Sequence, residues 1–210
     1  MKIYLIRHGQ TEGNKDKRYL GITDEALCVE GKAEILNRVE GGCYPASDFL
    51  FVSPMKRCLE TASIIFPEVQ QVVVSDLREC DFGSFEYRNH AEMDGEKAYQ
   101  EWIDSNGLLP FPGGESLLSF QKRCAAAFLE TIQGLEKIMQ EDKNNITSQN
   151  NGKDTKDKKV SFVIHGGTIM AIMSAFSNDP TKYFNYLCDN GRGYILDWED
   201  GTCINIQSLQ

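Results

Sequence analysis

Residues 5–11 read Leu-Ile-Arg-His-Gly-Gln-Thr and complete an apolar run that begins at Ile3. A continuous apolar run of this length is typical of a strand in a sheet that is covered on both faces. The strand is predicted to end where Arg7, His8 and Gly9 begin, which places a cationic pair at its carboxyl end. In open α/β sheets, ligands bind at that edge. This stretch therefore predicts both a class of fold and the position of a site.

A second strand candidate, Val160–Ile164, ends in the same way. It is nearly all apolar, and His165, Gly166 and Gly167 follow it where a helix is predicted to begin. The free N–H groups and the positive dipole end of a helix N-terminus favour an anion. Two of the three histidines in the chain thus end apolar strands directly before a glycine. This repeated arrangement favours a functional site over a chance match.

Strand-like and helical stretches alternate along the chain. The strand candidates are Ile3–Ile6, Phe49–Val52, Val72–Val74, Val160–Ile164, Gly193–Trp198 and Thr202–Ile206. The helix candidates are Gly31–Val39, Lys56–Phe66, Glu115–Glu141 and Thr168–Phe176. The alternation predicts a single α/β domain over residues 1–210, built as a three-layer α/β/α sandwich. The last two strands are predicted to form a hairpin.

Two segments do not fit the alternation. Residues 86–114 are acidic and contain Tyr87, Tyr99, Trp102 and Phe111, so they are predicted to form a small cap. Its aromatic residues either pack the cap or stack on a substrate. Residues 142–159 have a single apolar residue, and such a segment is predicted to be a disordered surface loop.

Charge and composition limit the classes of function. Lys and Arg total 22 against 31 Asp and Glu, a net charge of −9, which disfavours nucleic acid and anionic membranes as partners. The apolar N-terminus stops at Arg7, too early for a signal peptide, and no stretch approaches a membrane span. The seven scattered cysteines include no C-x-x-C pair and predict reduced thiols. We therefore expect a cytoplasmic protein.

Histidine and arginine in this arrangement suit phosphoryl transfer. A neutral imidazole such as that of His8 can attack phosphorus and form a phosphohistidine, which divides one displacement into two. The transferred group needs a fixed positive charge, which arginine supplies. Arg7 adjoins His8, and Arg57 lies at the start of a helix candidate, with neighbouring Lys56 as an alternative.

A proton donor is also needed for the leaving oxygen. Glu79 is the best-placed carboxylate, and spacing alone leaves Asp81 and Glu86 as alternatives. No metal or other cofactor is predicted, because the chain has no H-E-x-x-H motif and no clustered His and Asp residues. The basic run at residues 15–18 either holds a second anionic group or, as is commoner, is solvated.

Six short motifs carry a family resemblance. The first is Leu-x-Arg-His-Gly-x-Thr at 5–11, followed by Asn14, and the second is the set Gly21, Asp24, Leu27 and Gly31. The other four are Ser-Pro-x-x-Arg-x-x-x-Thr-Ala at 53–62, Leu-Arg-Glu-x-x-x-Gly at 77–83, Pro-Gly-Gly-Glu-Ser at 112–116 and His-Gly-Gly at 165–167. Together they resemble the histidine phosphatase superfamily, with its phosphoglycerate-mutase-like fold. The chain length and residues 77–116 look most similar to the α-ribazole phosphatase branch. The sequence departs from the pattern at Glu86-Tyr87-Arg88, where relatives usually have Glu-Gly.

The resemblance implies a role for each matched residue. His8 would be the nucleophile, and Glu79 the general acid and then the general base. The phosphate-binding set would be Arg7, Asn14, Arg57, His165 and Gly166. We therefore expect a phosphatase that hydrolyses a small-molecule phosphomonoester, with α-ribazole 5′-phosphate as a candidate. The alternatives are phosphoglycerate-mutase-type transfer and a non-catalytic module that binds a phospho-ligand; the sequence leaves the substrate and the oligomeric state open.

Overall fold

The computed structural model describes residues 1–145, 158–178 and 180–209. The strands are β1 Lys2–Arg7, β2 Phe49–Val52, β3 Gln71–Val73, β4 Lys159–Ile164, β5 Gly193–Glu199 and β6 Thr202–Leu209. The helices are α1 Glu12–Lys15, α2 Val29–Glu40, α3 Lys56–Ile65, α4 His90–Met93, α5 Lys97–Asp104, α6 Leu117–Asn145 and α7 Gly166–Phe176. Short 3-10 turns occupy Ser75–Leu77, Gly83–Phe85 and Pro180–Tyr186.

The strands form one sheet in the order β3-β2-β4-β1-β5-β6. β1 and β4 are parallel neighbours, with Arg7 opposite Ile164 in the register. β2 and β3 continue the parallel part, while β5 and β6 pair antiparallel as the predicted hairpin. Because β1 and β4 run in the same direction, their carboxyl ends meet at one edge of the sheet. This register brings His8 and His165 together.

Strand β1 is apolar throughout because both of its faces are covered. Ile3 and Leu5 belong to the core that packs against α6 and α7. Tyr4 and Ile6 belong to the core on the opposite face, against α2 and α3. All four side chains are buried. The predicted three-layer α/β/α sandwich is thereby confirmed.

The segment 86–114, which we call the cap, packs through its aromatic residues. It contains α4 and α5, and Tyr99 and Phe111 are buried in a third apolar cluster with Phe85 and Phe120. The rings of Phe85 and Tyr99 meet edge to face, with 5.4 Å between their centroids. Most of the cap aromatics therefore have a packing role, which is the first of the two interpretations drawn from the sequence.

Some element boundaries differ from the prediction. Helix α6 extends to Asn145 and β4 begins at Lys159, so both ends of the predicted loop at 142–159 belong to regular elements. Residues 146–157 of that loop lie outside the described part of the chain. Helices α1, α4 and α5 were not predicted, because four to eight residues are too few for a helical period to be recognised. Within the described residues, no helix is long and apolar enough to cross a membrane.

Candidate active site

A cavity of about 680 Å³ opens at the edge of the sheet where β1 and β4 end. Five of the predicted site residues line it, namely Arg7, His8, Asn14, Glu79 and Gly166. Arg57 and His165 are fully buried and are not part of the lining. The predicted set therefore divides into groups that face the cavity and groups that lie behind its wall.

The backbone sets the orientation of the His8 ring. Its Nδ1 lies 2.7 Å from the carbonyl oxygen of Gly9, and since a carbonyl can only accept, Nδ1 carries the proton. Nε2 is then the atom with the free lone pair. Burial, followed by the charges of Arg57 and Arg7, lowers the pKa of His8 well below its usual value. His8 is thus neutral at physiological pH and suited to nucleophilic attack.

Helix α3 holds the turn that follows His8. Thr61 Oγ1 accepts a hydrogen bond of 2.9 Å from the backbone N–H of Gly9 and donates one of 2.6 Å to the carbonyl of Arg57. The hydroxyl group therefore accepts one hydrogen bond and donates another. This contact explains why arginine and threonine stand four residues apart in the 53–62 motif.

Arg7 lines the cavity and also holds a buried donor without a partner in the described part of the chain. Its Nη1 donates to the Cys188 carbonyl at 2.6 Å. Its Nε is buried and has no hydrogen-bond partner within the described residues. A buried donor without an acceptor destabilises the folded protein by roughly 1–3 kcal/mol. The Arg7 side chain lines the cavity, so its positive charge is available to an anionic ligand.

Arg57 is surrounded by backbone carbonyl groups. It donates to the carbonyl oxygens of Gly21 and Thr23, each at 2.8 Å. Glu86 organises this loop, because its Oε1 accepts the N–H groups of the same two residues, each at 2.9 Å. Lys56, the alternative clamp, instead pairs with Asp24 at the surface. Arg57, and not Lys56, is therefore the residue of this pair whose charge reaches the site.

His165 is held on both ring nitrogens. Nδ1 accepts from Arg57 Nε at 3.3 Å, so its proton is on Nε2, which donates to Ser53 Oγ at 2.7 Å. Burial and the charge of Arg57 lower its pKa well below the usual value. The ring meets that of His8 edge to face, with centroids 5.2 Å apart. In this structure His165 packs against His8 and supports Arg57, without a free donor toward the cavity.

Glu79 is the one carboxylate among the described residues lining the cavity. Its Oε1 accepts from Cys80 N and its Oε2 from Gly167 N, both at 3.0 Å. Burial raises the pKa of Glu79 despite these two hydrogen bonds, which favours a proton that can be donated. The alternatives lie elsewhere: Asp81 accepts from Gly83 N, and Glu86 holds the loop around Arg57.

Asn14 and Asn190 are linked beside His8. The Oδ1 of Asn14 accepts from Thr11 N at 3.3 Å and from Asn190 Nδ2 at 3.0 Å, which leaves the Asn14 amide as a donor on the cavity wall. Asn190 also donates to the His8 carbonyl at 3.1 Å. Sequence analysis missed Asn190. Its one signal, the Asn-Gly pair it forms with Gly191, indicates a turn and no role.

The described residues offer one group of three candidate metal ligands, and it lies away from the cavity lining. It consists of Glu12, Cys28 and Glu30. Lys15 Nζ lies 3.1 Å from a carboxylate oxygen of each glutamate, so a protein cation already offsets part of the charge of the group. The basic run at 15–18 is thus engaged, at least at Lys15, in ion pairs on the surface.

Comparison with known proteins identifies what the chain is similar to. The family described as histidine phosphatase superfamily (branch 1) matches residues 3–208. Phosphoserine phosphatase 1 of Hydrogenobacter thermophilus is 25% identical over 205 residues, covering 95% of this chain and 88% of that protein. The adenosylcobalamin/alpha-ribazole phosphatase of Escherichia coli K12 is 31% identical over 130 residues, 59% of this chain and 63% of that protein. The crystal structure of the alpha-ribazole phosphatase from Shigella flexneri superposes with a TM-score of 0.76 at 20% identity, covering 97% and 93% of the two chains; this likeness concerns the fold.

Proposed function

The chain belongs to the histidine phosphatase superfamily, and we propose that it is a cytoplasmic phosphatase that hydrolyses a small-molecule phosphomonoester through phosphohistidine at His8. One observation carries the proposal. A neutral histidine with a free Nε2, a buried carboxyl group with a raised pKa and an arginine line the same cavity. These are the nucleophile, the acid and the phosphate ligand that the reaction needs.

In the first step, the Nε2 lone pair of His8 attacks phosphorus in line with the leaving oxygen. The P–N bond forms, the P–O bond breaks, and Glu79 transfers its proton to the departing alcohol. Negative charge on the three remaining oxygens is stabilised by Arg7 and the Asn14 amide at the cavity wall. Arg57 adds positive charge from behind. These fixed charges take the part that a metal ion has in other phosphoryl-transfer enzymes.

In the second step, water replaces the alcohol. The Glu79 carboxylate accepts a proton from the water, whose oxygen attacks phosphorus as the P–N bond breaks. His8 recovers its Nε2 lone pair, while its Nδ1 keeps its proton, hydrogen-bonded to the Gly9 carbonyl, throughout. Phe184, on the cavity lining, is 67% exposed, so the cavity has a rim that faces solvent.

The natural substrate is proposed from the relatives and the cavity. α-Ribazole 5′-phosphate is our candidate, supported by the E. coli relative and by a cavity of about 680 Å³, within the usual range for small-molecule sites. Phosphoserine is the competing candidate, because the H. thermophilus relative acts on it by name.

Labelling and phosphate release test the proposal together. Wild-type protein should release phosphate from at least one of α-ribazole 5′-phosphate, phosphoserine and 3-phosphoglycerate, and should carry an acid-labile phosphoryl group. His8→Ala should lose both. His90→Ala is the matched control, because His90 lies in the cap and contacts Tyr99. Labelling that persists in His8→Ala contradicts the proposed nucleophile, and transfer of the label to a phosphoglycerate hydroxyl instead of water identifies a mutase.

A further inference from the structure

The part of the cavity beyond His8 and Glu79 is walled by apolar side chains. Its lining includes Tyr19, Phe82, Trp102, Phe111, Tyr183 and Phe184. They come from four separate segments: the loop after α1, the turn after Glu79, the cap and the 3-10 turn after α7. The wall is thus assembled from segments that are distant in sequence.

Contacts among the rings hold much of this wall in place. The rings of Phe82 and Phe111 meet edge to face with centroids 5.0 Å apart, and Trp102 packs on Phe111 at the same distance. Tyr19 Oη lies 3.3 Å from Tyr99 Oη. Aromatic groups held by their neighbours form a surface that exists before a ligand arrives. Such a surface favours an apolar or aromatic ligand group.

The rim of the cavity is apolar as well. Phe184 is 67% exposed and Leu187 is 57% exposed, and both line the cavity. A ligand group that covers them removes apolar surface from water, which is favourable in proportion to the area covered. Exposed apolar side chains that converge on one opening mark a binding surface.

The cation at this part of the cavity is already neutralised. Arg18 donates to both carboxylate oxygens of Glu92, each at 2.9 Å, to the Tyr87 carbonyl at 2.6 Å and to Asp16 at 3.4 Å. Arg18 and Arg7 are the cationic side chains among the described residues that line the cavity. Once Arg7 binds the phosphate, neither remains for a second anionic group.

We infer that the enzyme prefers phosphomonoesters whose leaving group is bulky, uncharged and apolar or aromatic over those that carry a carboxylate beside the phosphate. The inference rests on the proposed phosphatase function. Phe184 contacts the leaving group at the rim, and the Arg18–Glu92 ion pair disfavours carboxylated substrates. This inferred preference favours a substrate with an uncharged aromatic base over phosphoserine.

Three substrates with primary-alcohol leaving groups test the preference, so that the need for a proton from Glu79 is similar for all. They are 2-(1-naphthyl)ethyl phosphate, ethyl phosphate and phosphoserine. We expect kcat/KM for the naphthyl compound to exceed that for ethyl phosphate by about 10- to 100-fold, mainly through KM. Phosphoserine should be turned over no better than ethyl phosphate.

Two variants assign the preference to residues. Phe184→Ala should reduce the naphthyl-to-ethyl ratio about 5-fold, while Leu36→Ala, an exposed apolar residue outside the cavity lining, should leave it unchanged. Glu92→Gln removes the charge that neutralises Arg18 but keeps a side chain able to complete the capping box with Asn89. This variant should raise the phosphoserine-to-ethyl ratio about 3- to 10-fold.

The outcomes separate this inference from the function beneath it. A wild-type preference for phosphoserine, or a naphthyl-to-ethyl ratio that Phe184→Ala does not change, overturns the inference while the phosphatase function stands. No turnover of the three substrates or of α-ribazole 5′-phosphate and 3-phosphoglycerate, together with no labelling of His8 by any of them, overturns the proposed function itself.

Discussion

A methyl group at residue 167 should displace Glu79 without removing it. Gly167 lies in the first turn of α7, where its N–H donates to Glu79 Oε2 at 3.0 Å. A Cβ added there would lie 2.3 Å from Oε1, 3.0 Å from Cδ and 3.1 Å from Oε2 of Glu79. Ordinary contacts begin at 3.4 Å, so the carboxyl group has to retreat in the Gly167→Ala variant.

The expected loss follows from that displacement. Misplacing a catalytic group by about 1 Å lowers a rate by roughly 10²-fold, or about 2.7 kcal/mol of barrier. The effect should depend on the leaving group, because an alkyl alcohol needs a proton to depart and p-nitrophenolate does not. Single-turnover phosphorylation should therefore fall about 100-fold with ethyl phosphate and less than about 10-fold with p-nitrophenyl phosphate.

The control is another glycine-to-alanine change within a helix. Gly134 lies in α6 and has no atom within 4 Å of an added Cβ, so Gly134→Ala should retain full activity and gain up to about 1 kcal/mol of stability. Circular dichroism and thermal melting check that both variants are folded. Equal losses with the two substrates in Gly167→Ala would refute the assignment of Glu79 as the acid and place the damage at the phosphate site.

Three further predictions concern positioning, pH and metal ions. Glu86→Ala should free the loop whose carbonyls hold Arg57 and weaken competitive inhibition by inorganic phosphate about 10-fold. Glu86→Gln keeps an oxygen acceptor and should retain most of that inhibition. Equal effects of the two variants would contradict the positioning role of Glu86. Burial and the neighbouring arginines lower the pKa of His8, and burial raises that of Glu79. His8 therefore stays neutral even at pH values below the usual pKa of histidine. The rate at which an alkyl phosphate phosphorylates His8 should decline only as the pH rises through the raised pKa of Glu79. Glu79→Gln should abolish that alkaline decline in a pH–rate profile, and a decline that persists would point to another group. EDTA should leave turnover intact, because arginines supply the positive charge; a loss that Mg²⁺ restores would show that a metal ion takes part.

Much of the fold could be predicted because its signals are local. The run of β1 is apolar throughout because Ile3 and Leu5 face one core while Tyr4 and Ile6 face the other. The parallel sheet then determines that strand ends meet, which brings together the two histidines that the sequence placed after strands. The superfamily resemblance, which rests on short motifs, is confirmed by the match over residues 3–208. The short helices of the cap, α4 and α5, were missed because four and eight residues are too few for a helical period to be recognised.

The arrangement of the site was decided by tertiary structure. Sequence alone identified His8, Arg57 and Glu79 as chemically suited residues, and it left Asp81 and Glu86 as alternatives to Glu79. Only the folded chain separates them, because cavity walls and buried hydrogen bonds join residues that are distant in sequence. Asn190 donates a hydrogen bond to the carbonyl of His8, which is 182 residues away, and no local sequence pattern predicts such a pair. Strand periodicity reflects each residue's own burial, whereas the position of a proton donor or an apolar wall depends on which segments the sheet order brings together.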